Sequence, residues 1–194
     1  MLISKDHLRA LHTVSKDQTR PLLTVIDIKQ DGDEIVAAST DGYILTEVRQ
    51  HAEDADQYPE TNGSPSIDNV RITGATAAKL KPMMKPQKLL PVLAYANVTK
   101  SGVITTDLEH TTVFNDHQVS GNFPDYKELI PPSDTAIATV KLNPEFLANV
   151  LKAFKGIDSV TLELFEGTAT PVVIRSNSSD VEVTGVVMPL KSYN

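Results

Sequence analysis

The 194-residue chain contains no cysteine, which excludes disulfide frameworks, thiolate zinc sites, iron–sulfur ligation and thiol catalysis together. It lacks any apolar run approaching the roughly 18 to 20 residues that a membrane-spanning helix needs. Met1 leads into Lys5, Asp6 and Arg9 and not into the apolar centre of a secretion signal, so a soluble, cytoplasmic protein is the expectation. No GxGxxG, Walker-type loop or GxSxG occurs, which leaves phosphate cradles and nucleophile elbows without support. The five histidines (His7, His12, His51, His110 and His117) lack the HExxH spacing that sets two ligands on one helix face, and His7 and His12 are expected at the surface. Asp54 and Asp56 fall in an expected loop, where solvated charge explains them. No metal site, cofactor or catalytic residue is therefore expected. Positive charge is also scarce: 18 Lys and Arg against 25 Asp and Glu give a net −7, a total unfavourable for nonspecific attraction to nucleic acid or anionic membrane.

What is present is a repeat. An extended stretch runs into a capped amphipathic helix at Leu2 to Leu11, at Val70 to Leu80 and at Val140 to Leu151. In each copy an apolar residue (Ile3, Ile72, Leu142) precedes a good N-cap (Ser4, Thr73, Asn143), whose side-chain oxygen can accept from an orphan amide of the first turn. The caps lie 69 and 70 residues apart. Pro144 follows the third cap, where its missing N–H costs nothing. The third helix carries the stripe Phe146, Leu147, Val150, Leu151 and Phe154, and the first offers Leu8 and Leu11. Pro82 and Pro86 predict a second helix that is short or kinked after Lys81. Three alternating strands follow each helix: Leu22 to Ile28, Glu34 to Thr40 and Tyr43 to Gln50; then Val92 to Val98, Val103 to Asp107 and Thr111 to Asn115; then Val160 to Phe165, Pro171 to Arg175 and Val181 to Val187. Asp31-Gly32 and Asp41-Gly42 supply turn chemistry. The chain reads as an α+β protein of three βαβββ units with helices on one face of antiparallel sheets. Its expected division is a two-unit domain over 1–126 and a half-domain over 127–194, with polar linkers near His51 to Asp68 and Phe123 to Thr135.

Charge is sorted along this pattern. Eleven of the eighteen basic residues sit in the helical segments: Lys5, Arg9, Lys16 and Arg20; Lys79, Lys81, Lys85 and Lys88; Lys141, Lys152 and Lys155. The same segments hold only Asp6, Asp17 and Glu145, so they sum to +8 and the remainder to −15. Helices sharing one surface would create a basic face able to attract phosphate despite the negative total. Exposed helix faces also carry lysine for helix propensity and solubility alone, and no arginine cluster or interleaved aromatic supports base readout.

Three stretches go beyond pattern: Ser39-Thr40-Asp41-Gly42-Tyr43-Ile44-Leu45, Asn122-Phe123-Pro124-Asp125-Tyr126-Lys127-Glu128-Leu129-Ile130-Pro131, and Val186-Val187-Met188-Pro189-Leu190-Lys191. They resemble the bacterial sliding clamp, the β subunit of DNA polymerase III, in a shortened form matching the middle domain and the second half of the last. The resemblance implies the processivity (DNA clamp) fold, a homo-oligomeric ring and basic helices turned towards duplex DNA without sequence specificity. The DNA-facing set would be Lys5, Arg9, Lys16, Arg20, Lys79, Lys81, Lys85, Lys88, Lys152 and Lys155. It further implies a hydrophobic pocket between middle and last domains. That pocket takes short motifs, with a glutamine and closing apolar residues, from the polymerase, the clamp loader or other replication proteins. Its wall here would be Leu23, Thr40, Gly42, Tyr43, Ile44, Leu45, Pro124, Leu129, Val186, Met188, Pro189 and Leu190. This chain has Tyr43-Ile44 where the family usually has His-Arg, Glu128 in place of a basic residue, and Lys191-Ser192-Tyr193-Asn194 in place of Arg-Leu. The implied function is a non-enzymatic processivity factor that tethers replication proteins to DNA. The alternatives are a clamp mimic that captures such peptides without encircling DNA and, more remotely, a hydrolase with an unrecognised site. A plainer explanation of the same stretches is that they are strand ends and turns holding the fold together.

Overall fold

A strand of two to five residues cannot stand alone and must add to a sheet edge; here the leading strands do so by trading places. The computed structural model describes residues 1–54, 58–59, 67–115, 119–167, 170–177 and 181–190. Asp56, His117 and the 191–194 segment lie outside the described residues. β1 (Leu2–Ile3) pairs antiparallel with β6 (Ala96–Thr99) of the second repeat, and β5 (Asn69–Thr73) pairs with β2 (Val25–Asp31) of the first. With β3 (Glu34–Thr40), β4 (Leu45–His51), β7 (Gly102–Thr106) and β8 (Thr111–Phe114), this gives the sheets β4-β3-β2-β5 and β1-β6-β7-β8. The third repeat forms a sheet of order β11-β10-β9 from β9 (Val160–Glu163), β10 (Val172–Ser176) and β11 (Thr184–Val187). The α+β class and antiparallel sheets are as expected. Within this plan each of the first two repeats lends its leading strand to the other, and among the described residues Val140 to Leu142 joins no sheet.

Local chemistry sets the element ends. Thr73 Oγ1 accepts from the Thr76 amide (3.2 Å) at the start of α1 (Gly74–Leu80), and Asn143 Oδ1 accepts from Glu145 (2.8 Å) and Phe146 (3.4 Å) at the start of α2 (Pro144–Leu151). α1 stops at Leu80, before Pro82, as the prolines predict. The first helix differs. His7–Thr13 is a 3-10 helix, and Ser4 does not cap it; its hydroxyl accepts from the Asp6 amide (3.1 Å) and donates to Gln50 Oε1 (2.6 Å). His7 is buried and not at the surface, because its ring nitrogens find backbone partners on the inward side, the Ser4 amide and the Ile35 carbonyl. Strands β2 and β6 start later than the alternation predicts, since Pro21 and Pro91 open 3-10 turns at Pro21–Leu23 and Pro91–Ala94.

The chain divides into Met1–Asp125 and Tyr126–Asn194. In the first unit, the traded strands give both repeats one core: Ile3, Leu8, Ile26, Ile28, Ile72, Leu80, Val98 and Val103 all belong to it. Each such aliphatic side chain contributes about 1.5–3 kcal/mol when fully buried. Tyr58 fixes the linker to this unit by donating to the Ile104 carbonyl (3.3 Å), and burial pushes its phenol up to about 12. In the second unit, Phe154, Val172, Ile174 and Val187 form a small buried core, with Leu142, Leu147, Val150 and Val160 packed partly against them. Of the predicted stripe on α2, Leu147 and Val150 turn inward, while Phe146 and Leu151 stay exposed.

Candidate functional site

The hairpin joining β3 to β4 is tied by its own side chains. Thr40 Oγ1 donates to the Ile44 carbonyl (2.7 Å) and accepts from the Gly42 amide (3.0 Å), while Asp41 Oδ1 accepts from the Tyr43 (2.8 Å) and Ile44 (3.0 Å) amides. These amide bonds hold the Asp41 carboxyl below its usual range. Gly42 takes φ +100°, which only glycine adopts readily. The same turn recurs between β7 and β8: Thr106 Oγ1 bonds the His110 carbonyl and the Leu108 amide, and Asp107 Oδ1 the Glu109 and His110 amides. There Leu108 occupies the glycine position at φ +78°. The Thr-Asp pair at 66-residue spacing was the available signal for this second turn. Because the turn hydrogen bonds use up Thr40 and Asp41, Tyr43 and Ile44 are left projecting, 93% and 52% exposed.

Two neighbours flank the 3-10 turn that carries Leu23. On one side, a Cβ at Gly42 would lie 3.3 Å from Arg20 Nη1, so the hairpin tip sits against the segment leading into that turn. On the other, Gly121 (φ +119°) approaches Leu22 so closely that a Cβ would lie 3.0 Å from its Cδ1. Arg71 sets the position of this loop. From β5 its Nε donates to Asp27 Oδ1 (2.9 Å) across the strand pair, and its Nη1 donates to the Val119 (2.7 Å) and Gly121 (2.8 Å) carbonyls. The loop therefore sets Gly121 against Leu22, three residues before Pro124. Sequence reasoning missed Arg71; its trace is a charge flanked by apolar residues in each of two strands, Val70-Arg71-Ile72 and Ile26-Asp27-Ile28.

In the second unit, Val187 points into the core and Val186 outward, as alternation along β11 requires. Beyond the strand, the Leu190 amide donates to the Lys141 carbonyl (2.8 Å), which holds Met188 to Leu190 extended. Met188 and Leu190 are exposed and Pro189 half-buried. Leu129, at the end of the 3-10 turn Lys127–Leu129, is 75% exposed.

The sequence matches no family model and no curated protein, but the fold has close counterparts. The structure aligns with the DNA polymerase sliding clamp of Bacillus subtilis at TM-score 0.66 and 20% identity, over 98% of this chain and 49% of that one. With DNA polymerase III subunit β of Pseudomonas aeruginosa the TM-score is 0.68 at 17% identity, over 97% and 50%. The chain has the sliding-clamp fold. A third clamp, from Bartonella birtlesii with griselimycin bound, aligns at 0.60 and 17% identity over 100% of this chain and 51% of that one. The chain thus spans about half the length of the clamps it matches. The sliding-clamp likeness is one of backbone plan, carried by sheets and helices at 17–20% identity.

Of the twelve wall positions inferred from the clamp resemblance, Leu23, Thr40, Gly42, Tyr43, Ile44, Leu45 and Pro124 belong to the first unit and Leu129, Val186, Met188, Pro189 and Leu190 to the second. Thr40 and Gly42 serve the turn itself. The basic residues divide as well. Arg9 pairs with Asp6 (2.6 Å) and Arg20 with Asp17 (3.1 Å), each one turn away. Lys5, Lys16, Lys79, Lys85, Lys88, Lys152 and Lys155 are exposed and Lys81 is half-buried. Lys152 Nζ also donates to Asn149 Oδ1 (2.8 Å).

Proposed function

We propose that this chain is a clamp-like processivity module, non-enzymatic and without a cofactor. It tethers a DNA polymerase, clamp loader or other replication protein to duplex DNA by receiving a short peptide of that protein, and it works as a homo-oligomer. The observation that carries the reading is the exposure of its wall. If the resembling stretches only held strand ends together, their large apolar side chains would be buried; instead Tyr43, Ile44, Leu129, Val186, Met188 and Leu190 are each at least half exposed. Adaptable Met and branched aliphatic side chains on a rigid hairpin and strand end suit the anchoring of a short apolar peptide. The clamp fold supports the same reading.

A peptide with one glutamine and closing apolar residues should therefore bind the full chain, as read by fluorescence polarisation. Met188→Ala or Leu45→Ala should weaken binding by about 1–3 kcal/mol, the range for truncating a buried anchor. Unchanged affinity in both variants, with the fold intact, would remove the pocket. The net charge of −7 favours one second reading, a mimic that captures such peptides without encircling DNA.

A further inference from the structure

Wherever two repeats meet in the first unit, the joint has one design. β5 joins β2 with Ile72 opposite Ile26 and Val70 opposite Ile28, and β1 joins β6 with Ile3 opposite Ala96. All six side chains are buried. On the other face of the first of these joints, Arg71, two residues before its helix cap, is opposite Asp27 and bonded to it. The helices meet too: a Cβ on Gly74, the first residue of α1, would lie 3.1 Å from Val14 and 3.5 Å from Leu11 beside the 3-10 helix.

Among the described residues, the third repeat has both halves of this joint and completes neither. β9, the counterpart of β2 and β6, is the edge of its sheet. The leading stretch Val140 to Leu142 is in no sheet, although it runs into α2 through a formed cap. Leu162 on β9 is 55% exposed, and Phe146, three residues past its cap, is 59% exposed where its counterpart Thr76 is 7%. α2 buries none of its residues.

We infer that a second copy of this chain completes the joint. The leading stretch of each copy adds antiparallel to β9 of the other, with Leu142 opposite Val160 and Val140 opposite Leu162. Phe146, Leu151 and Leu162 are covered where the two α2 helices meet. The register follows from the side chains. A slip of one residue would set Leu142 against Thr161 and turn both apolar residues to the wrong face. In the matched register, Lys141, two residues before its cap as Arg71 is before Thr73, lies diagonal to Glu163, so the outward face again pairs opposite charges. The occupant is a second copy because one segment supplies both the donor strand and the acceptor edge. Such an interface is isologous and closes with two chains. This inference rests on the topology of the third repeat and not on peptide capture.

The test uses the full chain, whose lack of native cysteine makes crosslinks unambiguous. A Val140→Cys/Leu162→Cys variant should, on mild oxidation, run at twice the chain mass in non-reducing denaturing gels, and either single variant should not. Light scattering after size exclusion should find wild-type dimers at micromolar concentration. Leu162→Asp should yield monomers, and since Leu162 is exposed in the single chain, circular dichroism should be unchanged. Phe146→Glu, also at an exposed site, serves as the second probe. A wild-type monomer, an assembly whose size neither substitution alters, or a disulfide formed only within one chain would overturn the inference. Peptide binding measured on the same samples separates its failure from that of the pocket.

Discussion

His7 couples a single side chain to the acid stability of the first unit. Its Nδ1 accepts from the Ser4 amide (2.9 Å) and its Nε2–H donates to the Ile35 carbonyl (3.3 Å), so the neutral ring is fully satisfied and a proton on Nδ1 would face an amide N–H. Burial pushes its pKa below the ordinary value. The unfolded chain then binds the extra proton first. Stability is therefore complete above the unfolded value of about 6.5 and falls as pH drops below it, levelling once the folded value is passed. Denaturant titrations should show stability lost as pH falls below about 6.5, with a flatter dependence in His7→Asn, whose Oδ1 can keep the Ser4 bond but cannot titrate. An unchanged slope in that variant would assign the effect elsewhere. Asp41 and Asp107, both held low by amide bonds, act in a separate window: their contribution is lost only as pH falls below about 4.

At the scale of elements, α2 is seated on its sheet through one glycine. A Cβ on Gly185 would overlap Val150 Cγ1 and lie 3.1 Å from Phe154 Cε2; the helix and the following 3-10 turn approach β11 only because that side chain is missing. Val150 is short and stiff, so the contact cannot be relieved by a rotamer change alone. Gly185→Ala should destabilise the second unit by about 1–3 kcal/mol, as overpacking does. Chemical denaturation followed by hydrogen exchange should locate the loss in β10, β11 and α2, with the first unit unaffected. Equal stability of variant and parent would mean that the helix is free to lift from the sheet.

For the molecule as a whole, the consequence lies in charge. If the helical segments line a channel, as proposed, attraction to duplex should be weak, indifferent to sequence and steeply reduced by salt, because each neutralised phosphate releases counterion. Arg9 and Arg20, already paired with Asp6 and Asp17, should contribute less than the lysines. On circular DNA, with a compatible loader or at low salt, the assembled protein should stay until the circle is cut, and on short linear duplex it should slide off. Replacing Lys79, Lys81 and Lys152 by Glu should abolish retention and leave peptide binding unchanged. Equal release from both DNA forms, by a protein shown to be oligomeric, would remove sliding and leave the peptide-capturing mimic.

The sequence by itself determined what depends on a few adjacent residues. The caps at Thr73 and Asn143, the end of α1 before Pro82, the Thr40 to Ile44 turn and the alternation of β11 all follow from bonds or steric limits within one turn or one pleat. The sliding-clamp resemblance was legible in three short stretches for the same reason. Partner choice was not legible, because alternation labels the faces of a strand and leaves its two edges alike. Only the tertiary structure decided that β1 and β5 cross to the neighbouring sheet, since that exchange merges two small cores into one and covers both edges. The same packing put His7 inside, aimed Arg71 across to the 119–121 loop, tightened the first helix to 3-10 and left β9 open in the one repeat whose partner the described chain does not contain.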